Sequence, residues 1–261
     1  MSSNQAFPGV PVRLLGQSGC RLGFPGCTIY LDPYLSHSVQ ELDAPDLVRL
    51  TPIPMQPGHV DDADWILITH DHIDHCDPHT LPGLAQASPN ARFVGPPPVL
   101  RALAQWGISD ERLQAATETW TELAPGLQLH SVPAAHPEIE RDADGQLACV
   151  GYVIEHAGRR LYLAGDTSLR QPVLDALAAL APIATAVLPV NERNFFRDRR
   201  GIIGNMSVRE AFQMAEELAV ENVVPVHWDM FAANAVGPEE IVAVYEHMRP
   251  RFRLLMQPDQ I

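Results

Sequence analysis

Cysteine is scarce in this sequence, and its spacing matches no paired motif. The four cysteines lie at positions 20, 27, 76 and 149, without a Cys-x-x-Cys pair. Cys20 and Cys27 flank a turn, but nothing in the pattern requires a bond between them. We therefore expect reduced thiols in a cytoplasmic protein. Cys76 adjoins a histidine-rich stretch, where we interpret it as a packing residue rather than a ligand.

The sequence also lacks a recognisable leader and an unbroken apolar run. Residues 1–5 carry no basic, apolar signal sequence. The longest apolar region, about residues 173–190, is interrupted by Asp175, Pro182 and Pro189. These interruptions predict a helix followed by a strand, and they argue against a membrane span. We expect no membrane partner.

Positive charge is in short supply. The chain has 18 Lys and Arg residues against 32 Asp and Glu residues, a formal net charge of -14. An acidic surface repels phosphate backbones, so we expect no nucleic-acid partner. A small anionic substrate would have to be held by a local basic patch or by a metal. The 46% hydrophobic and 19% charged contents of the 261 residues are typical of a globular protein, and we expect one domain over residues 1–261.

Local patterns predict several elements. Residues 10–24 alternate around glycines and predict a β-hairpin, whereas residues 34–60 are polar, proline-rich and irregular. Asp77 is predicted to cap a helix whose first position is Pro78. Ser207 opens a capping box for a helix to about residue 219. Strands and helices alternate along the chain, which predicts helices outside a two-sheet core.

A dense run of histidine and aspartate occupies residues 69–77, directly after the apolar segment 65–68. Carboxylates and imidazoles are costly to bury without partners, and a multivalent metal would serve them all. His70 and His72 are two residues apart and point to one side of an extended segment. Asp74 and His75 follow a turn and can face the same cavity from another wall. The alternative interpretation is a solvated loop.

Three more metal-capable residues share one context, because each ends an apolar strand: His136, Asp166 and His227. Strand ends in layered α/β architectures meet at one edge, where functional loops gather. Each residue alone is a weak signal, since a lone histidine at a strand end is more often hydrogen-bonded or exposed. Together with residues 70–75 they predict a shared metal site.

This set resembles the metallo-β-lactamase superfamily over nearly the whole chain, with the His-x-His-x-Asp-His motif intact at residues 70–75. The resemblance implies an α/β (α+β) fold, a four-layer αββα sandwich with a metal site at one edge of the sheets. It implies one cation site formed by His70, His72 and His136. A second would be formed by Asp74, His75 and His227, with Asp166 bridging the two.

The expected cofactor is one or two divalent cations. The ligands are nitrogen and oxygen only, which suits manganese, zinc or iron without choosing among them. A water on such a cation loses its proton near neutral pH, and the hydroxide can attack an ester or lactone carbonyl. Asp74, as a ligand or as a base that orients the water, and His227 are the expected catalytic residues.

A closer similarity lies in the last third of the chain. Residues 191–193, 202–206 and 225–231, like the His-Asp-His-x-Asp-His-Cys-Asp form of the main motif, are similar to the L-ascorbate-6-phosphate lactonase family. The resemblance implies hydrolysis of a phosphorylated sugar-acid lactone and an association with manganese. The chain is considerably shorter than the typical member of that family.

An arginine-rich stretch is the expected anion site. Four arginines fall within eight residues of this acidic chain, at positions 193, 197, 199 and 200. Arginine forks suit a phosphate or carboxylate, and we predict that Asn191, Arg193 and Asn205 bind the substrate. The helix that begins near Ser207 would add its dipole. The alternative is a solvated loop. Residues 195 and 196, both phenylalanine, would form a lid or anchor the core.

The sequence therefore predicts a metal-dependent hydrolase that acts on a small anionic lactone or ester. Two alternatives remain open: hydrolysis of a small phosphodiester, and a non-catalytic metal-binding sensor of a sugar phosphate. We also expect a homo-oligomer.

Overall fold

The first half of the chain forms one mixed sheet in a computed structural model, which describes residues 10–191, 195–199 and 205–261. Its strands lie side by side in chain order. The first three pair antiparallel and the rest pair parallel. They are β1 (Val12–Gly16), β2 (Gly19–Phe24), β3 (Cys27–Leu31), β4 (Trp65–Leu67), β5 (Arg92–Gly95) and β6 (Leu113–Ala115).

The second half forms another sheet, again with neighbouring strands adjacent in sequence. Its first four strands pair antiparallel and its last four pair parallel. They are β7 (Thr121–Ala124), β8 (Leu127–Pro133), β9 (Val150–His156), β10 (Arg159–Leu163), β11 (Thr185–Pro189), β12 (Asn222–Val226) and β13 (Arg253–Leu254). That a single domain spans residues 1–261 stays a prediction.

Helices cover the outer faces of both sheets. α1 (Leu81–Ala87) and α2 (Pro97–Gln105) pack on the first sheet. α3 (Gln171–Ala178), α5 (Val208–Glu217) and α6 (Pro238–Met248) pack on the second. A short helix, α4 (Phe195–Asp198), follows β11. The result is the four-layer αββα sandwich that the sequence predicts. In the part of the chain that the structure describes, no helix is long and apolar enough to cross a membrane.

Strand residues alternate between two apolar layers. In β4, Trp65 and Leu67 face the core between the sheets, while Ile66 packs against α1 and α2. In β10, Leu161 and Leu163 face the inter-sheet core and Tyr162 packs under the helices of the second sheet. Because both faces of these strands are buried, the strands are continuous apolar runs.

Two local predictions are confirmed and one is wrong. The hairpin over β1 and β2 forms, and Ser207 makes a reciprocal capping box with Glu210. α1 begins at Leu81 rather than Pro78. The Asp77 carboxylate accepts a hydrogen bond from the His79 amide at 2.9 Å, so Asp77 caps a separate turn before the helix. The irregular segment 34–60 contains a π-helical turn, Val39–Asp43, and β6 was not predicted.

Strand direction brings several chain segments to one edge. β10, β11 and β12 are parallel, and β8 runs with them because β8 and β10 each pair antiparallel with β9. Their carboxyl ends therefore meet at one edge, where ligand sites form in open α/β sheets. Residues 134–136, 164–166, 190–191 and 227 continue directly from these ends.

The Tyr152 hydroxyl ties the second sheet to this edge of the first. Tyr152 is fully buried and donates hydrogen bonds to the carbonyl oxygens of Ile68 at 2.8 Å and Val94 at 3.3 Å. Tyr152→Phe keeps the ring but leaves the Ile68 carbonyl short of a partner. We expect the free energy of unfolding, measured by urea denaturation, to fall by about 1–2 kcal/mol.

Tyr162→Phe is the matched control. Tyr162 is also fully buried, but its hydroxyl has no hydrogen-bond partner among the described residues. Its removal is expected to leave stability unchanged or slightly higher. Equal losses in the two variants would show that the Tyr152 hydrogen bonds contribute nothing.

Candidate metal centre

All seven residues predicted as metal ligands meet at the shared edge, with Asp166 between them. Asp166 follows β10, and its Oδ1 lies 3.2 Å from His75 Nε2. Its Oδ2 lies 3.3 Å from His227 Nε2 and 3.6 Å from His136 Nε2. Asp166 is therefore placed to bridge two groups of ligands.

The first ligand group is His70, His72 and His136. His136 Nε2 lies 3.1 Å from His72 Nδ1, and the His70 ring centroid is 4.5 Å from that of His72 and 5.0 Å from that of His136. One nitrogen of each ring lies within 4.8 Å of the others. This spacing brings three imidazole nitrogens around one point.

The second ligand group is Asp74, His75 and His227. Asp74 Oδ2 lies 3.6 Å from His227 Nε2 and 3.7 Å from His75 Nε2. The rings of His75 and His227 stack with centroids 5.8 Å apart. The residues come from the loop after β4 and from the end of β12, so the group joins the two sheets.

An unsatisfied ring nitrogen shows that these residues suit a cation. His70 Nε2 is buried and has no hydrogen-bond partner within the described residues. A buried polar atom without a partner costs about 1–3 kcal/mol. A divalent cation would accept the lone pair of His70 Nε2. The nitrogen and oxygen ligands suit zinc, manganese or iron.

Asp32 orients two of the histidines, although it is not among the predicted site residues. Its fully buried carboxylate accepts hydrogen bonds from Thr69 N at 2.8 Å, Thr69 Oγ1 at 2.7 Å and His75 Nδ1 at 2.7 Å. Because Thr69 Oγ1 gives its proton to Asp32, it can only accept from His70 Nδ1, 3.0 Å away. Both rings are thus fixed with Nε2 toward the centre. The signal was available, since Asp32-Pro33 also ends a strand.

The hairpin turn between β1 and β2 also reaches the centre. Gln17 Nε2 donates to Asp74 Oδ2 at 2.6 Å and lies 2.9 Å from His227 Nε2. Ser18 Oγ donates to Asp166 Oδ1 at 3.4 Å. Nothing in the local sequence distinguishes this turn from an ordinary hairpin turn, so these contacts could not be predicted.

Electrostatics leave the carboxylates ionised. Burial opposes the charge on Asp74 and Asp166, but the neighbouring histidines outweigh it and hold both carboxyl pKa values below their usual range. Burial likewise opposes protonation of His227, yet Asp166 and Asp74 raise its pKa to about 9. Burial lowers the pKa of His70. A cation would replace the protons that balance these carboxylates.

The predicted substrate residues are only partly described. Asn191 is buried, and with its amide nitrogen turned toward His227 that nitrogen lies 3.0 Å from His227 Nδ1. Asn205 is buried, and its side-chain amide has no hydrogen-bond partner among the described residues. Arg193 and Arg200 lie outside the described residues. Arg197 is buried in α4, so the solvated-loop alternative is wrong for it, whereas Phe195 is 66% exposed.

Comparisons with known proteins agree with this geometry. The model of the Beta-lactamase superfamily domain matches residues 28–228. A metal-dependent hydrolase from Pyrobaculum neutrophilum (strain DSM 2338 / JCM 9278 / NBRC 100436 / V24Sta) is 26% identical over 251 residues, 96% of this chain and 98% of that protein. The structure of Igni18, a metallo hydrolase from Ignicoccus hospitalis KIN4/I, superposes with a TM-score of 0.69 at 21% identity, covering 97% of this chain and 96% of that one.

A further relative is named for the substrate that it is thought to hydrolyse. The probable L-ascorbate-6-phosphate lactonase UlaG from Salmonella heidelberg (strain SL476) is 24% identical over 224 residues. The match covers 81% of this chain but only 62% of the lactonase. The chain belongs to the beta-lactamase superfamily. It is a metal-dependent hydrolase of that superfamily.

Proposed function

We propose that the protein hydrolyses a lactone or ester of a small anionic substrate, with a phosphorylated sugar-acid lactone as the first candidate. The convergence of seven candidate ligand side chains, with Asp166 between the other six, supports hydrolysis at this edge. The similarity to UlaG supports the substrate class. The net charge of -14 supports a compact site for the anion, because the rest of the surface repels it.

The first ligand group would hold one cation and the second ligand group another, with Asp166 bridging. A cation held there would lower the pKa of water and polarise a carbonyl oxygen. Asp74 would contribute an ionised carboxylate, as a ligand or as a base that orients the attacking water. His227 closes the opposite side of this group, where the buried amide of Asn191 lies against its ring.

Asn191, Arg193 and Asn205 would bind the anionic group of the substrate. Manganese and zinc are the first metals to test, followed by iron.

Metal analysis followed by a substrate panel tests this proposal. We expect protein purified without added metal to contain one or two equivalents of manganese, zinc or iron by elemental analysis. Removal of the metal with a chelator is expected to lower turnover of a phosphorylated sugar-acid lactone at least about 10³-fold. Re-addition of Mn²⁺ or Zn²⁺ should restore it. The panel contains lactones with and without phosphate, a phosphodiester and a β-lactam.

Each outcome separates the alternatives. Preferred turnover of the phosphodiester would favour a small phosphodiesterase. Binding of a sugar phosphate without turnover of any substrate would favour the sensor. Full turnover by metal-free protein would contradict the proposal. A cytoplasmic location and a homo-oligomer stay predictions, and sedimentation of the purified protein measures the oligomer.

A further inference from the structure

The side chain of Gln17 lies within the second ligand group, but the proposed chemistry gives it no role. Its Nε2 lies between two atoms of the second ligand group, 2.6 Å from Asp74 Oδ2 and 2.9 Å from His227 Nε2. These are hydrogen-bond distances, whereas a cation would lie about 2.0–2.2 Å from the same two atoms. The carboxamide therefore engages the Asp74 carboxylate oxygen that a second cation needs, and it lies against His227 Nε2.

The backbone holds Gln17 in this position. Gln17 has a φ of +54° and follows Gly16 at +94°, a conformation that a non-glycine residue seldom adopts. Its carbonyl oxygen accepts a hydrogen bond from the His227 amide at 3.0 Å. The residue is 3% exposed. The hairpin turn is thus attached to the strand end that supplies His227, and its side chain is directed into the centre.

The other end of the carboxamide has no hydrogen bond. Gln17 Oε1 is buried and lacks a partner among the described residues. Simple rotation of the amide would bring that oxygen against the Asp74 carboxylate, so the present orientation is the one that Asp74 selects. Gln17 also lines a cleft of about 410 Å³ between β1 and the segment after β12.

We propose that Gln17 is a neutral occupant of the second ligand group and makes that group the weaker of the two cation sites. A cation entering between Asp74 and His227 must displace the Gln17 amide and break its hydrogen bond to the Asp74 carboxylate. The first ligand group has no such competitor among the described residues, so it fills first. This inference rests on the two-cation centre of the proposed function.

Gln17→Asn is the decisive variant. Asparagine tolerates the positive φ at this position and keeps the amide, but it is one methylene shorter and cannot reach Asp74. The metal-free protein is titrated with Mn²⁺, and free Mn²⁺ is measured by electron paramagnetic resonance. We expect two unequal sites in the wild type. In Gln17→Asn the weaker site should tighten about tenfold or more, with the tighter site unchanged.

Gln128→Asn is the matched control, because it makes the same chemical change at an exposed position of β8. It should reproduce the wild-type titration. Weaker binding of the second Mn²⁺ in Gln17→Asn would overturn the proposal and make Gln17 a ligand instead. Unchanged binding, or two equal sites in the wild type, would also overturn it while leaving the two-cation centre intact. A wild type that binds neither Mn²⁺ nor Zn²⁺ would overturn the centre itself.

Discussion

Asp166→Asn is expected to lower kcat/KM by about 10³-fold or more and to reduce the metal content of the purified protein. The carboxylate contacts His136 of the first ligand group and His75 and His227 of the second. Asparagine keeps the shape but removes the negative charge, and one of its two terminal atoms can no longer accept. Loss of a bridging ligand removes several kcal/mol of transition-state stabilisation. Elemental analysis and steady-state kinetics measure the two effects.

Asp175→Asn provides the comparison. Asp175 is an exposed residue of α3 that accepts a hydrogen bond from Gln171 at 2.8 Å. The same charge change there should leave metal content and kcat/KM within about twofold. Normal metal content and normal turnover in Asp166→Asn would exclude the bridging role.

Most of the candidate metal ligands could be predicted because their positions depend on a local rule. His70, His136, Asp166 and His227 follow the ends of buried strands, and strand ends that run in parallel collect at one edge whatever the loop lengths. The apolar runs themselves are readable, since strands buried on both faces carry apolar residues at nearly every position. The layered fold and the position of the centre both follow from these patterns.

The residues around the ligands could not be predicted in the same way. Gln17 contacts Asp74 across 57 positions and His227 across 210. Its neighbours in sequence describe only a hairpin turn, and the contact arises from the docking of the first sheet on the second. The start of α1 was misplaced for a related reason. The Asp77 carboxylate accepts hydrogen bonds from the His79 amide and the Ser36 hydroxyl. It therefore caps the turn before α1 and not α1 itself.

Asp32 lies next to the candidate ligands without being one of them, and it is placed to affect both the stability of the fold and the affinity for metal. Its carboxylate joins three elements: the end of β3, the Thr69 backbone after β4 and the His75 ring in the following loop. Every donor in this network is buried, so no water replaces a lost acceptor. The network also sets which nitrogen of His70 and of His75 carries the proton. Stability and metal affinity should therefore fall together when Asp32 is changed.

We expect Asp32→Ala to lower the free energy of unfolding by about 3–5 kcal/mol, because it leaves the Thr69 hydroxyl, the Thr69 amide and the His75 ring without their acceptor. Asp32→Asn keeps the volume and should cost less. Both variants are expected to weaken Mn²⁺ binding about 10–100-fold, the usual effect of removing a group that orients a metal-binding histidine. Urea denaturation of the metal-free protein and Mn²⁺ titration measure the two quantities separately.

Asp62→Asn is the control for Asp32→Asn, because it makes the same chemical change away from the metal centre. Asp62 accepts from Arg21 and from Tyr30, but its side chain is 42% exposed, so water compensates for the loss. An exposed ion pair contributes about 0–1 kcal/mol, and Asp62→Asn should leave Mn²⁺ binding unchanged. If Asp32→Asn lost stability but bound Mn²⁺ as tightly as the wild type, Asp32 would support the fold alone. If it lost Mn²⁺ affinity without losing stability, ring orientation would be its main role.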